Sequence, residues 1–365
     1  MISGQAAPAG TARFATRSQS APGHFRTAAG LTLSSLGLGT YLGKEDAGVD
    51  RGYQACVRIA LSRGVNVFDT AINYRGQKSE RVIGKALAAA FQAGVARRDE
   101  VFVATKGGYL PHDADDRRDP KDYILETFVE TGLAPRSEVV RGGHCVAPGY
   151  LADQIERSRR NLGLETIDLY YLHNIEAQRT ALGPEAFRQR LGVAVEALER
   201  AAASGSIAAW GLATWDGLRV PPEHPEHLSL ALVEEVAREV AGALHHFRAV
   251  QLPVNLAMPE AIGFPSQETL RGRVPALAAA EELGLAVFGS ASLLQGRLAT
   301  ELPEEIQEAF SDVRPGAQQA LQFSRSAAGM TCSLVGVSTP EHAEEDFALT
   351  RTRPAEPEAV ARFFE

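Results

Sequence analysis

Cysteine is scarce, with three in 365 residues. Cys56, Cys145 and Cys332 are far apart and show neither metal nor redox spacing, which excludes a disulfide framework and suits a reducing compartment. No segment approaches the length of a membrane span, and Met1 to Ser20 contains no apolar run of the kind that opens a secreted chain. Positive charge is in deficit: 37 Lys and Arg against 45 Asp and Glu give a net charge of −8, which argues against nucleic-acid or anionic-membrane partners. No short-period repeat is visible, so a solenoid is excluded. These absences leave a cytoplasmic enzyme acting on small molecules as the expectation. They do not fix the oligomeric state.

What the chain does contain is alternation. Short apolar runs rich in Val, Ile, Leu and aromatics recur between segments with one apolar helical face. Leu31–Thr40 supplies the first run, followed by runs ending at Asp69, Thr105, Leu172, Ala213, Leu252, Phe288 and Val335. Helical patterns lie near 52–63, 79–93, 152–162, 184–204, 230–245, 274–282 and 316–328. About eight strand-helix units of roughly forty residues predict a parallel sheet closed into an α/β (β/α)8 TIM-type barrel. The barrel domain is expected over residues 31–365, and residues 1–30 read as an extension. Within that extension Thr11–Arg17 and His24–Thr27 are expected to pair as a β-hairpin. The interval 107–148 shows little pattern and is longer than usual for a loop between strand and helix. Placed after a barrel strand, it is expected on the substrate side. Its histidines and acids match no metal-ligand spacing, so no metal is expected.

Chemistry concentrates where strands end. Asp69 ends the second run, Lys106 follows the third, and His173 ends the fourth. Each is in phase with one apolar face: Val65, Val67 and Asp69; Phe102, Ala104 and Lys106; Ile167, Leu169, Tyr171 and His173. Taken singly these are a turn acid, a surface charge and a satisfied histidine, and Tyr74 is a packed loop aromatic. Together they bring a carboxylate, an ammonium, an imidazole and a phenol to one cleft. An ammonium beside a phenol lowers the cost of giving up its proton, a carboxylate holds that ammonium charged, and an imidazole can orient a carbonyl. Carbonyl reduction needs such a proton and also a hydride, which no side chain donates, so a nicotinamide cofactor is implied.

The segment Gly64–Gly84 with Asp69-Thr70-Ala71 and Tyr74, together with Ala104-Thr105-Lys106 and Asn161-Leu162-Gly163 ahead of Ile167–His173, resembles the aldo-keto reductase family. The likeness runs from about Leu36 to about Phe347. It implies Tyr74 as proton donor, Lys106 and Asp69 as its tuning pair, and His173 as the residue that orients substrate. It also implies cofactor contacts at Thr40, Asp69, Thr214, Gln251, Ser290, Ser292, Leu293, Gly296, Gly336, Ser338, His342, Glu345 and Asp346. The family's Ser-Asn pair falls at Ala213-Thr214, its nicotinamide-stacking aromatic at Ser290, and its 2′-phosphate clamp at Gly336 and His342. The resemblance implies NADP(H), and the missing basic clamp leaves NAD(H) open.

One Gly-rich motif competes for attention. Gly37-Leu38-Gly39-Thr40-Tyr41-Leu42-Gly43 mimics a dinucleotide fingerprint, but Lys44–Asp50 separates it from the next helix, where the fingerprint's last glycine opens one. The expected function is therefore an NAD(P)(H)-dependent reduction of an aldehyde or ketone, or oxidation of an alcohol such as a sugar. The alternative is a cofactor-binding regulatory module with little or no turnover.

Overall fold

The computed structural model describes residues 1–364. The chain begins with helix α1 (Pro8–Arg17), then a hairpin of β1 (Phe25–Ala28) and β2 (Leu31–Ser34). The barrel starts at β3 (Leu36–Gly39), followed by α2 (Ala47–Ser62), β4 (Val67–Asp69), α3 (Lys78–Gln92) and β5 (Phe102–Gly107). Next come α4 (Pro120–Ile124), α5 (Pro148–Leu162), β6 (Leu169–His173), α6 (Glu176–Leu182), α7 (Pro184–Ala203) and β7 (Trp210–Ala213). Then follow α8 (Leu230–Ala241), β8 (Phe247–Pro253), α9 (Glu260–Gly263) and a small hairpin of β9 (Gln267–Thr269) and β10 (Gly272–Val274). After it run α10 (Ala276–Glu282), β11 (Ala286–Ser290), α11 (Glu304–Ala309), α12 (Ala317–Ser326), β12 (Cys332–Gly336), α13 (Pro340–Ala348) and α14 (Glu358–Ala361). Eight parallel strands close as β3-β4-β5-β6-β7-β8-β11-β12, each beside its successor among the barrel strands.

Period-two alternation decides which side chains fill the barrel. Val67, Phe102, Ala104, Leu169, Tyr171, Ala249, Phe288 and Leu334 form the interior cluster, with Phe102 stacked on Phe288 at 5.6 Å. Gly37 has no room for more: a methyl there would lie 2.9 Å from both Leu334 and Val67. The Gly-rich motif thus serves barrel packing. The opposite strand faces, carrying Phe68, Val103, Tyr170, Leu172, Trp210 and Val250, meet the helices in the outer core.

The expected pairing of Thr11–Arg17 with His24–Thr27 does not form. Pro8–Arg17 is helical, with Pro8 in its first turn and Phe14 buried. Gly10 lets the helix lie against the backbone of Asp99, where a methyl would come within 2.1 Å of its carbonyl oxygen. The hairpin pairs β1 with β2 instead, because Ala29 and Gly30 both take positive φ (49° and 76°), as a two-residue hairpin turn requires. The expected strand Leu31–Thr40 is consequently two. Its first half lies under the barrel, where Leu33 joins the interior cluster, and its second half enters the wall. The long interval 107–148 also holds more order than its pattern predicted. Leu110, Tyr123, Phe128, Ala134, Cys145 and Tyr150 build a small separate core around α4 and the π turn that continues it over Leu125–Val129.

Candidate active site

Strand register gathers the polar strand ends. Gly39 pairs with Asp69, Lys106 with Tyr171, His173 with Ala213, and Ala213 with Gln251. The result is a cleft of about 480 Å³ at the C-terminal end of the barrel, bordered by Asp69, Tyr74, His173 and Gln251.

Lys106 lies fully buried beneath it, donating to Asp69 Oδ1 at 2.5 Å and to the Thr70 carbonyl at 2.8 Å. Gln251 donates to the other Asp69 oxygen at 2.8 Å, so the carboxylate is held from two strands. Burial works against the Lys106 charge, and Asp69 and Tyr74 overcome it, leaving the ammonium above its ordinary value. Its nitrogen sits 4.8 Å from the centre of the Tyr74 ring. Burial also pushes the Tyr74 phenol above its ordinary value, with Lys106 opposing the shift, so the phenol carries its proton at neutral pH. Tyr74 is set by the turn that follows β4, where Arg75 and Gln77 adopt positive φ (48° and 68°) and Arg75 is clamped to Asp50 at 2.6 Å. His173 packs edge-on to Tyr74 at 5.9 Å and to Tyr109 at 5.3 Å. Burial, reinforced by Lys106 and His144, holds its imidazole well below the usual histidine range, so it is neutral.

Other residues named from the sequence divide into two groups. Thr40, Thr214, Ser290, Ser292, Leu293, Gly296 and Gly336 all border the cleft. Ser338, His342, Glu345 and Asp346 do not; they lie at the exit of β12 and on α13, with His342 exposed and Asp346 buried. Burial, with Glu345 adding to it, raises the Asp346 carboxyl to about 7. The long interval was expected on the substrate side, and it contributes Tyr109 to the cleft wall. Two of its acids are drawn to the cations of α3: Asp113 and Asp115 pair with Arg81, and Asp115 with Lys78. His112 bonds Glu45 at 2.9 Å, and His144 bonds the His173 carbonyl at 2.7 Å, so these two imidazoles serve separate contacts.

Sequence reasoning missed several wall residues. Tyr41 packs edge-on to Tyr74 at 5.1 Å and Trp215 follows Thr214, while Asn73 and Asn174 flank Tyr74 and His173. The signal was available: each lies within two residues of a barrel strand end or beside a predicted site residue. Glu176 was also missed. It is 5% exposed, and its Oε1 accepts the backbone N–H of Trp215 at 2.7 Å and of Asp216 at 3.3 Å, fixing that wall.

A family model described as aldo/keto reductase family matches residues 35–221. A D-threo-aldose 1-dehydrogenase from a Pseudomonas species is 30% identical over 188 residues, covering 51% of this chain and 51% of that protein. A putative voltage-gated potassium channel subunit beta from Schizosaccharomyces pombe is 23% identical over 209 residues, covering 57% of this chain and 49% of that protein. The chain thus spans about half the length of the curated relatives it matches. Among solved structures, an aldo/keto reductase from Klebsiella pneumoniae in complex with NADP and acetate superposes with TM-score 0.62 at 20% identity, over 94% of this chain and 96% of that one. An aldo-keto reductase from Bacillus halodurans in its holo form gives 0.61 at 19% identity, over 93% and 96%. These last two likenesses are of fold.

Proposed function

The chain belongs to the aldo/keto reductase family, and from that premise we propose that it is an NADP(H)-dependent oxidoreductase that interconverts a carbonyl and its alcohol. The observation that carries this reading is the meeting of Asp69, Tyr74, Lys106 and His173 around one cleft.

The cleft fits a nicotinamide dinucleotide. Thr214 Oγ1 is buried without a hydrogen-bond partner on the cleft wall, and its backbone N–H donates to Gln251 at 2.8 Å. A primary amide seated there would satisfy that hydroxyl. Ser290, Ser292, Leu293 and Gly296 would hold the part of the cofactor beyond it. Their loop places Ala291, Leu294, Gln295 and Gly296 at positive φ and is closed by turns in which the Leu294 N–H donates to Ala291 and the Gly296 N–H to Leu293. When bound, the cofactor supplies or accepts the hydride.

The rest of the chemistry belongs to the protein. Tyr74 holds a proton on its phenolic oxygen and gives it to the carbonyl oxygen as that atom gains charge. Lys106, close to the ring, stabilises the phenolate left behind, and Asp69 keeps Lys106 charged and oriented. His173 is neutral, so it orients the carbonyl by a hydrogen bond and adds no positive charge that would compete with Lys106. In the oxidative direction Tyr74 takes the proton back.

NADP(H) is favoured because the Klebsiella pneumoniae neighbour of this fold is in complex with NADP. NAD(H) is the alternative, since α13 carries Glu341, Glu344, Glu345 and Asp346 and no Lys or Arg. A hydroxylated substrate such as a sugar is favoured by walls that pair aromatic faces (Tyr41, Tyr109, Trp215) with amides (Asn73, Asn174), and by the aldose dehydrogenase relative. A clear preference for steroid-like ketones would contradict that substrate class.

Tyr74→Phe is expected to lower turnover by about 10²–10⁴-fold, with NADPH affinity nearly unchanged. Unchanged turnover would overturn the proposal. Titration with NADPH and NADH, read by the fluorescence of Trp215 on the cleft wall, decides the cofactor. The second reading, a cofactor-binding regulatory module, is favoured by Ser290, which cannot stack on nicotinamide. Tight cofactor binding without turnover across a broad carbonyl and alcohol panel would select it.

A further inference from the structure

We propose that His144, a residue of the long interval that never reaches the cleft, is a positioning residue for His173, acting through a relay that ends on the His173 backbone. The inference rests on the reading of His173 given above. The His173 ring lacks a holder of its own: its Nδ1 is buried without a hydrogen-bond partner. Its direction must therefore come from the backbone at the end of β6 and from the rings beside it.

His144 touches the β6 end at the His173 carbonyl and one of those rings, Tyr109. His144 Nε2 lies 2.7 Å from the His173 carbonyl oxygen, which can only accept, so that nitrogen carries the proton. The opposite nitrogen, Nδ1, must then accept, and it faces Gln178 Nε2 at 3.0 Å. The orientation of the Gln178 amide is fixed twice. Its nitrogen also donates to the His144 carbonyl at 3.1 Å, and its oxygen accepts from Arg190 at 3.3 Å. Every donor in the series meets an acceptor, which leaves one tautomer for His144. Burial lowers the His144 imidazole to about 4, so the same neutral form persists at neutral pH.

The surroundings admit little slack. Tyr109 stands edge-on to His144 at 5.1 Å and to His173 at 5.3 Å, so one phenol ring packs against both imidazoles. Gly108 is the reason they can close up: a methyl there would lie 2.8 Å from both His144 Nε2 and the His173 carbonyl oxygen. The backbone of His144 is pinned in turn by reciprocal bonds with Val140, both 2.8 Å, and by a bridge to Tyr109. The relay thus runs from Arg190 on α7 through Gln178 on α6 to the end of β6. It gives the long interval a function that its polar residues do not supply.

The test compares His144→Leu, His144→Gln and Gln178→Leu with the native protein. His144→Leu is expected to lower kcat for a carbonyl substrate by about 10- to 100-fold, as misplacement of a reacting group does, while the NADPH dissociation constant stays within about twofold. His144→Gln keeps a side-chain N–H for the His173 carbonyl and is expected to recover most of that loss, which a purely space-filling role would not allow. Gln178→Leu lies farther from the cleft and is expected to show a smaller loss in kcat, which covers the case that His144→Leu fails to fold. Nitrogen-15 NMR of histidine-labelled protein gives a readout independent of turnover: the native His144 shifts report Nε2–H, and the His173 ring shifts move in Gln178→Leu. Unchanged His173 shifts and unchanged kcat in folded variants would overturn the relay. Absence of turnover in the native protein, with the NMR pattern as expected, would count against the proposed reaction and not against the relay.

Discussion

Glu176 illustrates how a single buried group can be tested apart from the chemistry. Burial raises its carboxyl from 4.5 to about 7, against the stabilising N–H groups of Trp215 and Asp216. Between those two values the native state keeps a proton that the unfolded chain has lost. Stability contributed by the protonated group is present below about pH 4.5 and is lost as pH rises towards 7. In Glu176→Gln the amide oxygen still accepts from Trp215 and never ionises. The variant is expected to match the native protein at acid pH and to exceed its unfolding free energy by about 3 kcal/mol above neutrality. Denaturant midpoints of both proteins between pH 4.5 and 8 check this. Parallel pH profiles would mean that the carboxylate is already solvated in the fold.

At the scale of elements, α3 and the last turn of α5 approach closely at Gly84. A methyl added at Gly84 would fall 2.4 Å from the Leu162 carbonyl oxygen, which is backbone and cannot swing aside. Alanine favours a helix over glycine by about 1 kcal/mol, whereas forcing two packed helices apart costs about 1–3 kcal/mol or more. The steric term wins, so Gly84→Ala is expected to lower the thermal midpoint by a few degrees. A rise in the midpoint would show that the pair can slide without loss. Because α3 follows directly on the Tyr74 turn, and its Arg81 holds Asp113 and Asp115, the same substitution is expected to disturb the long interval as well.

At the scale of the molecule, the supports of the N-terminal end and the cleft occupy opposite ends of the barrel. The N-terminal end is closed by β2 and by α1, whose Arg13 and Arg17 meet Asp99 and Glu100 ahead of β5, while the Ala6 N–H bonds Asp168 ahead of β6. Phe14 is 2% exposed and packs edge-on to Phe25 at 6.2 Å. Phe14→Ala is expected to cost about 3–5 kcal/mol with NADPH affinity unchanged within about twofold, because the cleft opens at the other end. Chemical unfolding and cofactor titration of the same preparation measure the two effects separately. A loss of affinity in step with stability would mean that the ends are coupled.

By itself the sequence determined the repeating strand-helix order, the inward phase of Asp69, Lys106 and His173, and the company of Tyr74, because period and strand ends are local properties that a closed barrel preserves. Its resemblance to a known family also pointed to most of the cleft wall, from Thr40 to Gly336. The tertiary structure decided what depends on distant partners. Pro8–Arg17 is a helix because Asp99 and Glu100 lie where its Gly10 and its arginines can meet them. In the polar interval 107–148, Asp113 and Asp115 turn to Arg81 and Lys78 because folding lays the interval against α3. His144 became part of the site's support because folding carried Gln178 to one face of its ring and the His173 carbonyl to the other. Local pattern carries no record of such contacts, since each depends on groups that share no period and meet only when the barrel closes.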